Sequence, residues 1–414
     1  MRISVDRLKP GMRLAENIYA NASSKVPLIT MQKRNADGVQ VYTYLSENEI
    51  KQLKEKGIKT VKVELINDVK ETLDDSIQDD VIQSLKDAVS TADLNIAGVI
   101  EAANKIVLKM LSTDKLDYSL SSYGLEANDF FKEAMDECSF AVALAKKYNN
   151  TLKVGDRKID LEDMAVSCLL SKLGKFCEYD NDILKRIKPD KGLAENYFPG
   201  YYNDMLNSYN ENYVPIYSYY MLKNNRQLGI SSESVKLAVL LGGEDEVGKG
   251  PLKSSKDTLS SVDKKTRDTS VMMGKIIRIC NVYEMLLNKC VEKRVSPSNV
   301  MELMGVLAAN KRIDKNLFEI FKKAVPLYSP GIRVMLSDGR SGIVIKSDEN
   351  FFDKPLIKLD STGEAMDLKN ETTVTITGIY EFDIDYAVYL VQNRDRQEMQ
   401  RQGITEEQNQ AKAR

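Results

Sequence analysis

Not one histidine occurs among the 414 residues. Histidine is the usual general base near neutral pH and the commonest nitrogen donor to metals. Its absence excludes a Ser-His-Asp or Cys-His device and every mixed histidine/carboxylate metal site. Cysteine is scarce and odd in number: Cys138, Cys168, Cys177, Cys280 and Cys290, with no C-x-x-C spacing. A disulfide framework or zinc knuckle is therefore not expected, and the five read as small buried apolar residues on helices. Neither charge sign dominates, since 59 basic residues face 61 acidic ones. No global field favours nucleic acid or an acidic membrane. Long hydrophobic runs are missing too: no stretch approaches the ~20 apolar residues that span a bilayer. The opening MRISVDRLKPGMRL lacks the apolar run of a signal peptide. A cytoplasmic protein with no membrane or nucleic-acid contact is expected.

What is present is ordinary globular composition, long enough for two or three domains. Residues 1–66 read as a small α+β module. Arg2–Val5 alternates as a strand, and Leu8 to Met12 forms a turn around Pro10 and Gly11. Ser46 with Glu49 three residues on is a capping box, Ile50 and Leu53 follow at helical spacing, and Gly57 ends the helix. Thr60–Val63 then alternates as a strand. Residues 67–80 are an acidic connector. Residues 81–325 are a mainly helical domain, with stripes at Ile82, Leu85, Ala88 and Val89, then Ile100, Ala103, Ile106, Val107 and Met110. Phe140–Leu144, Met164–Leu173 and Val271–Leu287 continue the pattern.

Two stretches interrupt it. Gly242 to Asp268 has the polar, Gly/Ser/Lys-rich composition of a mobile loop. Asn196–Tyr220 holds eight tyrosines and many asparagines. Such a surface suits base stacking or peptide contact, but packing with hydroxyl tips at the surface is the commoner use of tyrosine. Residues 326–380 read as a β module: a hairpin turning at Asp338–Gly339, then strands at Leu356–Leu359 and Thr372–Ile376. Residues 381–414 read as a polar helical or disordered tail. The fold class is thus mainly α, with a small module at each end.

Gly243 to Gly250 nearly fits a phosphate loop, but Gly250 and Pro251 stand after Lys249 where Ser or Thr must hold magnesium. No helix starts there to supply a cradle of backbone N–H groups.

A larger set of segments is informative. Leu169-Leu170-Ser171-Lys172-Leu173-Gly174-Lys175 closes an apolar helix. Leu240-Leu241-Gly242-Gly243-Glu244 follows, then Gly248-Lys249-Gly250-Pro251, then Ile276 through Glu284. In order and spacing these resemble the HD-GYP family, bacterial phosphodiesterases of cyclic-di-GMP within the HD superfamily. That family shows L-L-H-D-I-G-K, H-H-E with G-x-G-Y-P, and I-x-x-V-A-D-x-Y-D. The opening LKPGMRLAENIY and the later YSPGIRVMLSDGRSGIVI are similar to segments that flank such domains. The resemblance implies an HD-superfamily helical core and metal-dependent hydrolysis of a phosphodiester. Yet Ser171 and Lys172 stand at the histidine and aspartate of the first motif, Gly242 and Gly243 at the paired histidines, and Asn281 at the later aspartate. The stretch Glu133–Cys138, where an upstream histidine would fall, has none. Glu244 alone keeps a carboxylate among the matched ligand positions, and Lys175 keeps the family lysine.

One carboxylate cannot hold two metals, and Lys172 brings a positive charge to a cation's place. No catalytic residue, metal or cofactor is expected. The emptied site suits two uses. Ser171, Lys172 and Lys175 fall within one helical turn and suit a phosphate grip, which makes a cyclic-di-GMP-type nucleotide a candidate ligand. Lys172 paired with Glu244 suits a structural tie between helices. The expected role is that of an inactive regulatory protein acting through a protein partner or a nucleotide held without hydrolysis, with homodimerisation left open. The alternative is a metal-dependent cyclic-di-GMP phosphodiesterase with unconventional ligands.

Overall fold

Five short strands and one helix form around the N-terminal turn: β1 (Arg2–Ser4), β2 (Arg13–Leu14), β3 (Gln32–Arg34), β4 (Gln40–Tyr42), α1 (Glu47–Glu55) and β5 (Thr60–Glu64). The computed structural model describes residues 2–20, 25–34, 40–58, 60–64, 73, 75–90, 97–112, 130–178, 191, 203, 214–224, 233–242, 262–292, 297–325, 327–328, 330, 332–348, 351–379, 388, 391–392 and 394–396. The strand β5 lies between β1 and β2, antiparallel to both, while β3 and β4 make a separate hairpin. The capping box starts α1: Ser46 Oγ accepts from the Glu49 amide at 3.3 Å, and the Glu49 carboxylate accepts from the Ser46 amide at 2.8 Å. Gly57, at φ +68°, reverses the chain after the helix, a conformation that suits glycine. The strands β2, β3 and β4 have no alternation long enough to be read from sequence.

Helices dominate the middle of the chain: α2 (Asp75–Ser90), α3 (Ala97–Ser112), α4 (Phe130–Thr151), α5 (Leu161–Ser171), α6 (Val214–Asn224), α7 (Glu233–Leu241), α8 (Lys264–Glu292), α9 (Pro297–Ala309) and α10 (Lys315–Ala324). The protein is mainly helical with small sheets, as its periodicity indicates. Two boundaries differ from the sequence reading. Helix α2 begins at Asp75, inside the acidic connector, because Val81, Leu85 and Ala88 form a buried stripe that the acidic first turn can precede. Helix α8 begins at Lys264, inside the expected loop, where Asp263 accepts from the Thr266 amide at 3.0 Å and so caps it. Residues 243–261 of that loop lie outside the described residues.

Helix α5 is buried from Met164 to Ser171, all round its circumference. It sits against α3, α4 and α7, and α7 in turn packs along α8. The α7–α8 approach is set by two glycines. A Cβ on Gly242 would lie 2.6 Å from Ile277 Cγ2, and one on Gly274 would lie 2.6 Å from Leu241 Cβ. Of the tyrosine-rich stretch, the described Tyr217, Tyr219 and Tyr220 on α6 are buried in this core, so these three pack.

The strands β6 (Arg333–Leu336), β7 (Ser341–Lys346), β8 (Leu356–Leu359), β9 (Ala365–Asp367) and β10 (Ile376–Ile379) form an antiparallel sheet in the order β10-β6-β7-β8-β9. Gly339, at φ +84°, makes the β6–β7 turn. The last strand forms at Ile376–Ile379 rather than at Thr372–Ile376, because pairing with β6 begins only at Ile376. Val334, Val344 and Ile357 join this sheet to the helical core as one apolar cluster. The N-terminal module has its own cluster, completed by Val388 from the far end of the chain. That segment docks further. Arg13 Nη1 donates to Asp395 Oδ1 and Oδ2 at 2.8 and 2.9 Å, Tyr44 donates to Asp395 Oδ2 at 2.7 Å, and Gln392 donates to the Gly11 carbonyl at 3.1 Å. Part of the stretch read as a polar tail is thus a fitted piece of the N-terminal module. Among the described residues no helix is long and apolar enough to cross a membrane.

Candidate functional site

The apolar run of α5 ends at Ser171, and Lys172 is its C-cap. The turn that follows is fixed from α6: Ser218 Oγ accepts from the Gly174 amide and donates to the Ser171 carbonyl, both at 2.8 Å. Gly174 leaves no room for a Cβ beside the Val214 carbonyl, so α6 sits directly on this turn. The chain here points Lys172 inward. Its side chain is 6% exposed and ends 2.6 Å from Glu137 Oε2, on a glutamate that is fully buried. Asn281 Nδ2, from α8, donates to the same oxygen at 3.4 Å. Glu284, one turn further along α8, is also buried. Three helices thus place an ammonium, two carboxyl groups and an amide in the core.

Electrostatics assigns their charges. Burial by itself would pull Lys172 down, but the charge of Glu137, joined by those of Glu284 and Glu133 at the high pH where a lysine titrates, outweighs it, and the net shift is upward. Lys172 is an ammonium ion at all ordinary pH. Glu284 is pushed up to about 8, first by burial and then by the charge of Glu133, with Lys172 acting against both. At neutral pH it holds its proton. One ammonium therefore neutralises one carboxylate, and the second carboxyl is neutral. Cys168 Sγ is 4.0 Å from Glu137 Oε1. Burial, above all, raises the Cys168 and Cys280 thiols, so neither is a thiolate nucleophile or a ready metal ligand.

The other sequence-derived candidates fall as follows. Ser171 Oγ donates to the Cys168 carbonyl at 2.6 Å. Lys175 is 2.5 Å from Glu133 Oε2, with both side chains largely buried. All three groups proposed as a phosphate grip are therefore engaged internally. Lys172 makes its tie to Glu137 on α4, while Glu244 lies outside the described residues, together with Gly243, Gly248, Gly250 and Pro251. Gly242 is described and has no side chain with which to hold a metal or a phosphate. The structure brings Lys172 and Asn281 together around Glu137, which sequence reasoning did not single out. A signal existed: Glu133 and Glu137 are one turn apart on a helix otherwise rich in buried apolar residues.

The metals implied by the resemblance do not fit these residues. The Lys172 ammonium occupies the buried Glu137 oxygen, and the Asn281 amide shares it. Among the described residues no three His, Cys, Asp or Glu side chains form a group able to hold a metal ion. Comparison with protein-family models, curated proteins and solved structures returns no match.

Proposed function

We propose that this chain is an inactive HD-GYP-like regulatory protein, in which a lysine takes the place of the metal charge and the protein acts through a protein partner. One observation carries the reading. The Lys172 ammonium sits 2.6 Å from the buried Glu137, with Asn281 on the same oxygen. Those positions correspond, in the resemblance, to the aspartates of the first and last metal motifs and to the stretch of the upstream histidine. A fixed internal cation preserves the packing of α4, α5 and α8 without the chemistry of a Lewis acid. The engagement of Ser171, Lys172 and Lys175 favours a protein partner over a nucleotide at this place. The exposed Leu108 and Leu111 on α3, and Leu303 and Val306 on α9, are the first surfaces to vary in mapping that partner.

The test is elemental analysis of the purified protein together with a cyclic-di-GMP turnover assay in manganese or iron. Substoichiometric metal and no turnover are expected. Stoichiometric iron, manganese or zinc, or turnover abolished by Glu137→Gln, overturns the reading. A nucleotide titration weakened by Lys175→Ala would return the phosphate grip to first place.

A further inference from the structure

A cleft of about 450 Å³ lies apart from the Lys172 cluster, between the end of α4, the segment that follows it and the start of α8. Its walls carry Arg157, Lys158, Lys264 and Lys265, against a single carboxylate, Asp268. Tyr148, Ile159 and Met272 add a ring and an apolar surface. The volume lies in the range that takes a small organic ligand.

Four cations without a carboxylate partner among the described residues thus line one cleft, in a chain whose charges nearly cancel. The nearby acids accept from backbone amides, and Asp156 and Asp314 also act on Tyr148. Asp156 accepts from the Lys153 amide, Asp160 from the Glu162 and Asp163 amides at the start of α5, and Asp263 from the Thr266 amide and hydroxyl. Local carboxylates thus cap backbone, while the cations around the cleft have no such partner among the described residues. Like charges held together at a concave surface repel one another, and an anion relieves that repulsion. Ammonium and guanidinium groups bind phosphate oxygens through charge-assisted hydrogen bonds, and Tyr148 offers a face for a planar ring.

We infer that this cleft binds a small phosphorylated molecule bearing an aromatic ring, of the nucleoside diphosphate class. The site shares no residue with the Lys172 cluster and is independent of the reading given to it.

The experiment is calorimetric titration of the full chain with ADP and, separately, with inorganic pyrophosphate, at low and high salt. ADP binding that weakens with salt is expected, with pyrophosphate binding more weakly because it forgoes the ring contact. The Lys264→Glu/Lys265→Glu variant should weaken ADP by about tenfold or more, on the scale at which 1.4 kcal/mol is a decade. Charge reversal at Lys346 on β7, which is exposed and has no ion pair among the described residues, as Lys346→Glu, should leave it unchanged. Lys264 and Lys265 are likewise exposed, and circular dichroism of each variant checks that the fold is kept. No binding of ADP by the unaltered chain, or equal loss in the Lys346 control, overturns the inference. Equal affinity for ADP and pyrophosphate overturns the ring contact and with it the nucleotide class.

Discussion

Two of the buried ion pairs among the described residues are built differently. Lys172–Glu137 lies in the helical core, joining α5 to α4 across 35 positions of sequence. Arg13–Asp395 joins the two ends of the chain, 382 positions apart. The lysine is a point charge on a flexible stem, set among Glu137, Asn281 and Glu284, and it balances the charge of a cluster. The arginine is planar. It lies 3.8 Å above the Tyr42 ring, its Nη1 reaches both oxygens of Asp395, and its Nη2 is 3.6 Å from Glu64. It fixes position as well as charge. The first pair balances charge inside the helical core, and the second defines where the C-terminal segment sits.

The largest expected effect comes from removing the lysine. Lys172→Met leaves Glu137 buried without its counter-ion, and breaking such a pair costs about 3–5 kcal/mol. Chemical denaturation should show that loss across the whole helical domain. The double variant Lys172→Met/Glu137→Leu should recover most of it, since the buried charge is then gone from both sides. A double variant no more stable than the single one would mean that the pair stabilises the core directly rather than balancing charge.

Asp395→Ala tests the other pair. Arg13 keeps Glu64 and the Tyr42 ring, so the cost falls at the low end of the same range, about 3 kcal/mol. Its reach is local. Hydrogen exchange should quicken in the N-terminal module and around Val388, with the helical domain unchanged. Equal quickening in α5 would show that the two regions unfold as one unit.

The third effect is a pH dependence confined to the Lys172 cluster. Glu284 has its folded pKa raised from 4.5 to about 8. The folded state therefore binds a proton that the unfolded state releases, and this contribution is complete below pH 4.5 and lost as pH rises through 8. Between pH 6 and 8 stability should fall by about 2 kcal/mol. Lys172, also raised, loses its contribution only far above that window. Glu284→Gln should flatten the slope, whereas Asp395→Ala should leave it intact. A slope that survives Glu284→Gln would place the titrating group elsewhere.

Much of the frame was legible in the sequence because its causes are local. The Ser46–Glu49 capping box, the Gly339 turn and the buried run Met164–Ser171 each follow from residues within a few positions of one another. The short strands β2–β4 escaped because two or three residues carry no period, and their pairing depends on distant partners. At the candidate site, Lys172 and Asn281 were readable as positions in a resemblance. Glu284 closes the last motif of that resemblance, but its burial beside Lys172 was not readable, and Glu137 was not singled out at all, because a glutamate on a helix looks the same in sequence whether it faces water or another helix.

The sequence by itself determined which chemistry is excluded, since a side chain that is not encoded cannot be supplied by folding. It also determined most helices, through apolar spacing at the helical period. Tertiary structure alone decided which charges meet. It chose Glu137 as the partner of Lys172, left Glu284 protonated, and carried Asp395 back to Arg13. The reason is physical: periodicity is set within a turn or two of chain, whereas the energy of a charge depends on burial and on neighbours that only the completed packing brings near.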